Sequence, residues 1–221
     1  MMRSWGSRSD TTVIDEPFYA YYLKETGIQH PMKDAIIDRY ETNVDAVIKM
    51  VSEQPATGIG YQKHITTHIT ETMPLDWLSS MQHAFLIRHP KQVLKSYSKK
   101  RADVRASDLG YEQQQVVFDA IVNITGRHPV VIDSDRFLQN PKGQLNLVCD
   151  TLGIDFEQAM LRWDPGKRTT DGLWEAHWYD AVKRSTGFQK ATPMATDFND
   201  REQDVISQCL PYYKRLVDLA I

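Results

Sequence analysis

Four short apolar runs interrupt a chain that is otherwise patterned at helical spacing. Residues 11–14, 59–64, 84–87 and 129–132 combine β-branched, aromatic and aliphatic residues over too few positions for helices, and they read as strands. Between them, 17–26, 33–52, 90–104, 111–125 and 141–152 read as helices. The last of these is the most fully specified. Asn140 is an N-cap, Pro141 the first helical residue, and Leu145, Val148, Cys149 and Leu152 fall at i, i+3, i+4 and i+7 before Gly153 closes the helix. The helix at 111–125 shows a face of Val117, Ile121 and Ile124 and stops at Gly126, while Pro17 opens a helix carrying Phe18, Tyr21 and Tyr22 on one face and ending at Gly27. Beyond residue 156 the chain is helical and looping, and Pro211 is expected to interrupt a final helix whose apolar positions include Val205, Ile206, Cys209 and Leu210. Strands alternating with helices predict an α/β fold, a parallel sheet flanked by helices, in a single domain spanning 1–221 without repeat or linker.

Composition narrows the function classes. The 221 residues are 41% hydrophobic and 25% charged, enough for one proper core. A net charge of −3 argues against a general nucleic-acid or anionic-membrane binder and toward a small ligand. The isolated Cys149 and Cys209 suggest neither a disulfide scaffold nor a metal knuckle and suit a reducing compartment. No apolar segment has membrane-spanning length and no signal-peptide pattern follows Met1, so a cytoplasmic protein is expected; the oligomeric state stays open.

Two corners carry candidate chemistry. The run Ala84, Phe85, Leu86, Ile87 delivers Arg88 at a strand's carboxyl end, and Pro90 then starts a helix that bears Ser96. Backbone N–H groups at a helix start, a guanidinium and a hydroxyl together suit a phosphate; the competing reading is a strand ending in a solvated Arg. Lys63 and His64 close the strand at 59–64, where open parallel sheets place ligands, although a structural His beside a surface Lys accounts for them too. His64 and His68 also make an H-x-x-x-H spacing, with His177 as a distant third ligand. A metal site is rejected because position 65 is Ile and the intervening β-branched run does not hold both imidazoles on one helical face.

The run LIRHPKQVLKSY resembles the 3′-phosphate-binding motif of sulfotransferases, which use 3′-phosphoadenosine 5′-phosphosulfate (PAPS) as co-substrate; Arg88, Pro90, Ser96 and Tyr97 occupy the motif positions. The segment VVIDSDRFLQNPKGQLNLVCDTLGIDFEQAML is similar to the strand, acidic loop and helix that follow in that family, and WDPGKRTTDGLWEAHWYDAV resembles the loop that closes over the donor's 3′-phosphate and adenine. The resemblance implies a P-loop NTPase-like sulfotransferase architecture. In it, Lys167 and Arg168 contact phosphate, Gly166 and Gly172 permit close backbone approach, and Trp174 stacks or packs; the alternative is a surface loop pinned by Trp163, Trp174 and Trp178. It also implies that Lys63 stabilises the donor's bridging oxygen and that His64 deprotonates the acceptor, with His68 and Glu16 as competing bases; a capping role explains Glu16 as well.

Against the family pattern, the first strand and its phosphosulfate loop are expected to be missing, since MMRSWGSR reads as the helix that follows them. The implied activity is metal-free transfer of a sulfuryl group to a hydroxyl or amine of a small-molecule acceptor. The alternative is an inactive relative that keeps nucleotide binding or acts as an interaction protein. A nucleotide kinase is disfavoured because no G-x-x-x-x-G-K-[ST] occurs. Domains of this kind sometimes carry aminotransferase-like names, but no cofactor-bearing Lys site is legible and pyridoxal chemistry is not expected.

Overall fold

The structure, a computed structural model, describes all residues except positions 102, 191, 192 and 195. In chain order the elements are α1 (Met2–Trp5), β1 (Thr11–Asp15), α2 (Tyr19–Thr26), α3 (Lys33–Arg39), α4 (Val44–Ser52), β2 (Ile59–Lys63), β3 (Ala84–Ile87), α5 (Pro90–Tyr97), α6 (Ala106–Leu109), α7 (Tyr111–Thr125), β4 (Val130–Asp133), α8 (Ser134–Gln139), α9 (Pro141–Leu152), α10 (Glu175–Trp178), α11 (Asp180–Arg184) and α12 (Asp200–Val217), with short 3-10 turns at Thr66–His68, Asp76–Ser80 and Gln158–Leu161. The class is α/β with parallel strands, as expected.

The chain forms two compact units, Met1–Ser80 with Phe156–Gln189, and Met81–Asp155 with Lys190–Ile221. In the first, β1 and β2 pair in parallel from Thr11 opposite Ile59 to Asp15 opposite Lys63. That register sets an acid and a base side by side at the strands' carboxyl ends. Its core gathers Met2, Tyr19, Ala20, Leu23, Ile36, Trp174 and Tyr179. A buried ion pair fastens α1 to the loop before α10: Arg3 donates from Nη1 and Nη2 to Asp171 Oδ1 and Oδ2 at 2.6 and 2.8 Å. In the second unit, β3 and β4 pair in parallel from Ala84 opposite Val130 to Ile87 opposite Asp133. All of β4 is buried, and the chain end lies against it, the Ile221 N–H donating to the Val131 carbonyl at 3.1 Å. A core of Leu94, Val104, Phe198, Val205 and Ile206 joins α5 to α12.

Several expectations are corrected. The helix expected over 33–52 is two, because the Glu41 carboxylate accepts from the Thr42 and Asn43 N–H groups and the Asn43 side chain caps α4 by accepting from the Ala46 N–H. These local side-chain bonds offer the backbone an alternative to helix. The helix expected over 90–104 ends at Tyr97, where the apolar spacing gives way to Ser98, Lys99, Lys100 and Arg101; position 102 lies outside the described residues. Helix α2 begins at Tyr19 rather than Pro17, since Glu16 turns the chain with a φ of +47°. Strand β3 alternates, burying Phe85 and Ile87 while Leu86 is 48% exposed, and Ile124 faces solvent at the last turn of α7. Pro211 does not interrupt α12, which runs on through it. The loss of one N–H is offset by a buried face of Val205, Ile206, Cys209 and Leu216. Unnoticed in the sequence, α8 follows β4 directly, capped by Asp133.

Breaking the Arg3–Asp171 pair leaves a guanidinium buried without its partner. Asp171→Ala is expected to destabilise the first unit by about 3–5 kcal/mol, read as a lowered urea midpoint; a shift below about 1 kcal/mol, the size of an exposed pair, would remove the pair as a structural tie.

Candidate functional site

The carboxyl ends of β1 and β2 carry a cluster of charge and hydrogen bonds around Lys63. Its Nζ donates to Glu16, to Tyr179 Oη at 2.6 Å and, at 3.5 Å, to Asp15 Oδ1. Asp15 is the most enclosed member. It accepts from Tyr179 Oη at 2.7 and 2.9 Å, from Trp174 Nε1 at 3.1 Å and from the Gly172 N–H at 3.3 Å. Burial raises its pKa above the usual carboxylate value; the Lys63 charge and these hydrogen bonds oppose that rise, and Glu16 adds to it. Tyr179 Oη also reaches Glu16 Oε1 at 3.2 Å, and burial beside the two carboxylates pushes its phenol far up, so it stays a neutral donor. Glu16 is held in the left-handed region, a conformation that costs a non-glycine residue about 1–3 kcal/mol and is tolerated only where the surroundings enforce it.

The adjacent Lys63 and His64 are separated by strand geometry. Successive residues point to opposite faces, so Lys63 enters the acidic cluster while His64 lies with Gln62, its Nε2 3.0 Å from Gln62 Oε1. Its ring packs against Phe18 and Trp77 at centroid distances of 5.7 and 5.6 Å. The imidazole that joins the cluster is His68. It is 5% exposed, stacks between Tyr19 and Tyr22 at 4.6 and 4.8 Å, and points Nδ1 toward Glu16 Oε2 at 4.0 Å. That Nδ1 is buried and has no hydrogen-bond partner among the described residues.

The cations of the loop expected to close over phosphate bond to their own sequence neighbours. Lys167 Nζ donates to Glu175 Oε1 at 2.8 Å, and Arg168 donates from Nη2 to the Asp164 carbonyl at 2.6 Å. Gly172 serves a close approach, but to Trp174: a Cβ there would lie 2.1 Å from the indole. Trp174 is buried in the core, 2% exposed, while its indole N–H serves Asp15. Tyr179, the hub of the cluster, went unread in the sequence because its carboxylate partners lie more than 160 positions away in the chain.

In the second unit, β3, Arg88 and α5 form the expected corner, with Pro90 in the first turn and His89 Nδ1 accepting from the Lys91 N–H at 3.2 Å. Arg88 Nε donates to Gln92 Oε1 at 3.0 Å, and Gln92 Nε2 in turn donates to Asp135 Oδ1 at 3.1 Å. Tyr111 Oη donates to the Arg88 carbonyl at 2.6 Å. The terminal nitrogens of Arg88 donate to no described residue. Gln92 and the exposed Ser96 stand four residues apart, one turn along the same side of α5.

Among the described residues no group of three or more His, Cys, Asp or Glu is arranged to hold a metal ion, and no helix is long and apolar enough to cross a membrane. A family model described as Sulfotransferase domain matches residues 1–220. Two curated proteins of Arabidopsis thaliana, branched-chain-amino-acid aminotransferase-like proteins 2 and 1, are each 32% identical over 217 residues, covering 98% of this chain and 38% and 39% of their own. The chain thus spans about two fifths of the length of those relatives. Among solved structures, the Sulfotransferase Domain from the Curacin Biosynthetic Pathway matches at 17% identity with a TM-score of 0.44, over 85% of this chain and 76% of that one.

Burial holds the His68 pKa well below the ordinary 6.5, with Lys63 and His30 adding to the effect. As pH falls, the unfolded chain therefore binds this proton first. The stability His68 contributes is full above about 6.5 and is lost as pH falls toward its folded value. Asp15, with its raised pKa, works in the opposite sense: its contribution is present below about 3.9 and lost as pH rises through the folded value. The urea midpoint is expected to drop between about pH 7 and 5.5, and to drop less in His68→Phe. Equal slopes in the two proteins would show that His68 is not held neutral.

Proposed function

We propose that this chain, which belongs to the sulfotransferase domain family, binds PAPS and transfers its sulfuryl group, without a metal, to a hydroxyl or amine of a small acceptor. The observation that carries the reading is the Arg88 corner. A guanidinium fixed through Nε keeps its terminal nitrogens for an anion, beside the N-terminus of α5, the helix that bears the Ser96 hydroxyl. In this reading Arg88 and Ser96 hold the donor's 3′-phosphate. Lys167, Arg168 and Gly172 belong to the loop that closes over the nucleotide, where phosphate would compete with Glu175 and the Asp164 carbonyl for the two cations.

Lys63, Glu16 and His68 form the acceptor-side chemistry in this reading, with His64, the other candidate base, packed against Phe18 and Trp77. Residues 1–221 act as one functional domain. The buried free thiols of Cys149 and Cys209 suit the reducing cytoplasm, where we place the protein.

A second reading, nucleotide binding without transfer, draws on Lys63. A cation already paired with Glu16 and Asp15 has little charge left for a leaving phosphate. Calorimetry with adenosine 3′,5′-bisphosphate tests what both readings share. Arg88→Ala is expected to weaken binding about 10- to 100-fold, as loss of charged hydrogen bonds implies; undiminished binding would remove the phosphate assignment. Turnover of PAPS with primary amines and alcohols then separates an enzyme, which consumes it, from a binding protein, which does not.

A further inference from the structure

The geometry points to a carboxylate–imidazole dyad in which Glu16 fixes the tautomer of His68, so that His68 Nε2 is the base that receives the acceptor's proton. The inference deepens the transfer reading above and rests on it. Three observations converge on the pair. First, the two oxygens of Glu16 are unequal: Oε1 takes Lys63 Nζ and Tyr179 Oη, whereas Oε2 faces His68 Nδ1 at 4.0 Å. Second, that Nδ1 is a buried polar atom without a hydrogen-bond partner among the described residues, in a residue 5% exposed, a state that costs free energy unless an acceptor is at hand. Third, Glu16 is kept in a left-handed backbone conformation while its own N–H donates to the Lys63 carbonyl at 2.8 Å, so its carboxylate is aimed by the β2 backbone and not by a capping role.

Closing the gap to an ordinary N–H···O distance needs a movement of about 1 Å. The ring stacks on Tyr19 and Tyr22, and such a movement in its own plane keeps both stacks. With its Nδ1 proton directed at Glu16, the imidazole presents the Nε2 lone pair. In the transfer step the acceptor oxygen or nitrogen forms a bond to sulfur as the bond from sulfur to the donor's 5′-phosphate oxygen breaks. The bisphosphate leaves with that electron pair, and the acceptor's proton goes to His68 Nε2. The imidazolium is then balanced by Glu16, as a carboxylate steadies the base in other proton-relay pairs. Lys63 and Tyr179, besides their bonds to Asp15, meet Glu16 through Oε1 and leave Oε2 for the ring. His64 meets the Gln62 amide through a ring nitrogen and Phe18 and Trp77 through its faces. Burial above all, with Lys63 and His30 adding to it, disfavours the protonated form of His68 and keeps the base neutral before reaction; Tyr19 and Tyr22 stack on its ring.

The test needs no acceptor. Long-range proton–nitrogen NMR on the intact chain, with the His68 signals assigned by their loss in His68→Asn, reads which ring nitrogen carries the proton at about pH 7.5. The expected result is a proton on Nδ1 in the natural protein and a shift of the population toward Nε2–H in Glu16→Ala. A proton on Nε2 in the natural protein overturns the dyad without any variant, and an unchanged tautomer in a folded Glu16→Ala overturns Glu16 as its positioning residue. Bisphosphate calorimetry on the same two proteins keeps the outcomes apart: loss of binding in both would sink the transfer reading while the tautomer result stands or falls separately.

Discussion

A carboxylate at the end of a buried parallel strand must be satisfied, and each unit of this chain is organised around one. Asp15 ends β1 and Asp133 ends β4. Left unpaired, either would cost several kcal/mol, about the margin on which a small fold stands. Asp15 is answered by a backbone N–H at Gly172, an indole at Trp174, a phenol at Tyr179 and the ammonium of Lys63. Asp133 is answered by the N–H groups of Asp135 and Arg136 and by the Tyr213 hydroxyl at 2.9 Å. In both cases a tyrosine from much later in the chain closes the shell. The device ties distant sequence to the strand ends, where the chemistry of a parallel sheet is expressed.

The two shells differ in what they leave over. Asp133 spends its capacity on starting α8 and on the Tyr213 hydroxyl, a structural role. The Asp15 shell includes a second carboxylate and a lysine. Two acids face one ammonium in a largely desolvated place, beside an imidazole that burial holds neutral. A stable fold gains nothing from that arrangement, and a hydrophobic replacement of the whole cluster would serve packing as well. Its retention beside a strained Glu16 marks the cluster as a place where stability has been traded for chemistry.

What the sequence disclosed follows the range of the forces involved. The four strands, α7, α9 and the Arg88 corner are written in local signals, namely short apolar runs, Asn140 and Pro141, Gly126 and Gly153, and Pro90 after Arg88. The break between α3 and α4 was hidden because helical periodicity persists across Tyr40–Asn43, while the deciding bonds are made by Glu41 and Asn43 to their own neighbours. Lys63 and His64 were legible as a strand end but not as two faces of it. Strand alternation sends them apart, and it was available from the residues themselves. His68 was legible only as a competitor, since its meeting with Glu16 depends on a 3-10 turn that its β-branched neighbours do not announce. Tyr179 could not be read at all, because nothing local distinguishes it from the aromatic residues around it.

The Arg88 corner and the Lys63 cluster make contrasting electrostatic choices. Arg88 spends one nitrogen on a neutral amide and keeps its charge available, the arrangement expected of a group that waits for an anion. Lys63 spends its charge on carboxylates and keeps little, the arrangement expected of a group that orients another. Two cations that look equivalent in a list of basic residues are thus distinguished by their partners. In the proposed reading Arg88 therefore serves binding and Lys63 holds Glu16, which turns attention to His68, whose buried Nδ1 meets no hydrogen-bond partner among the described residues.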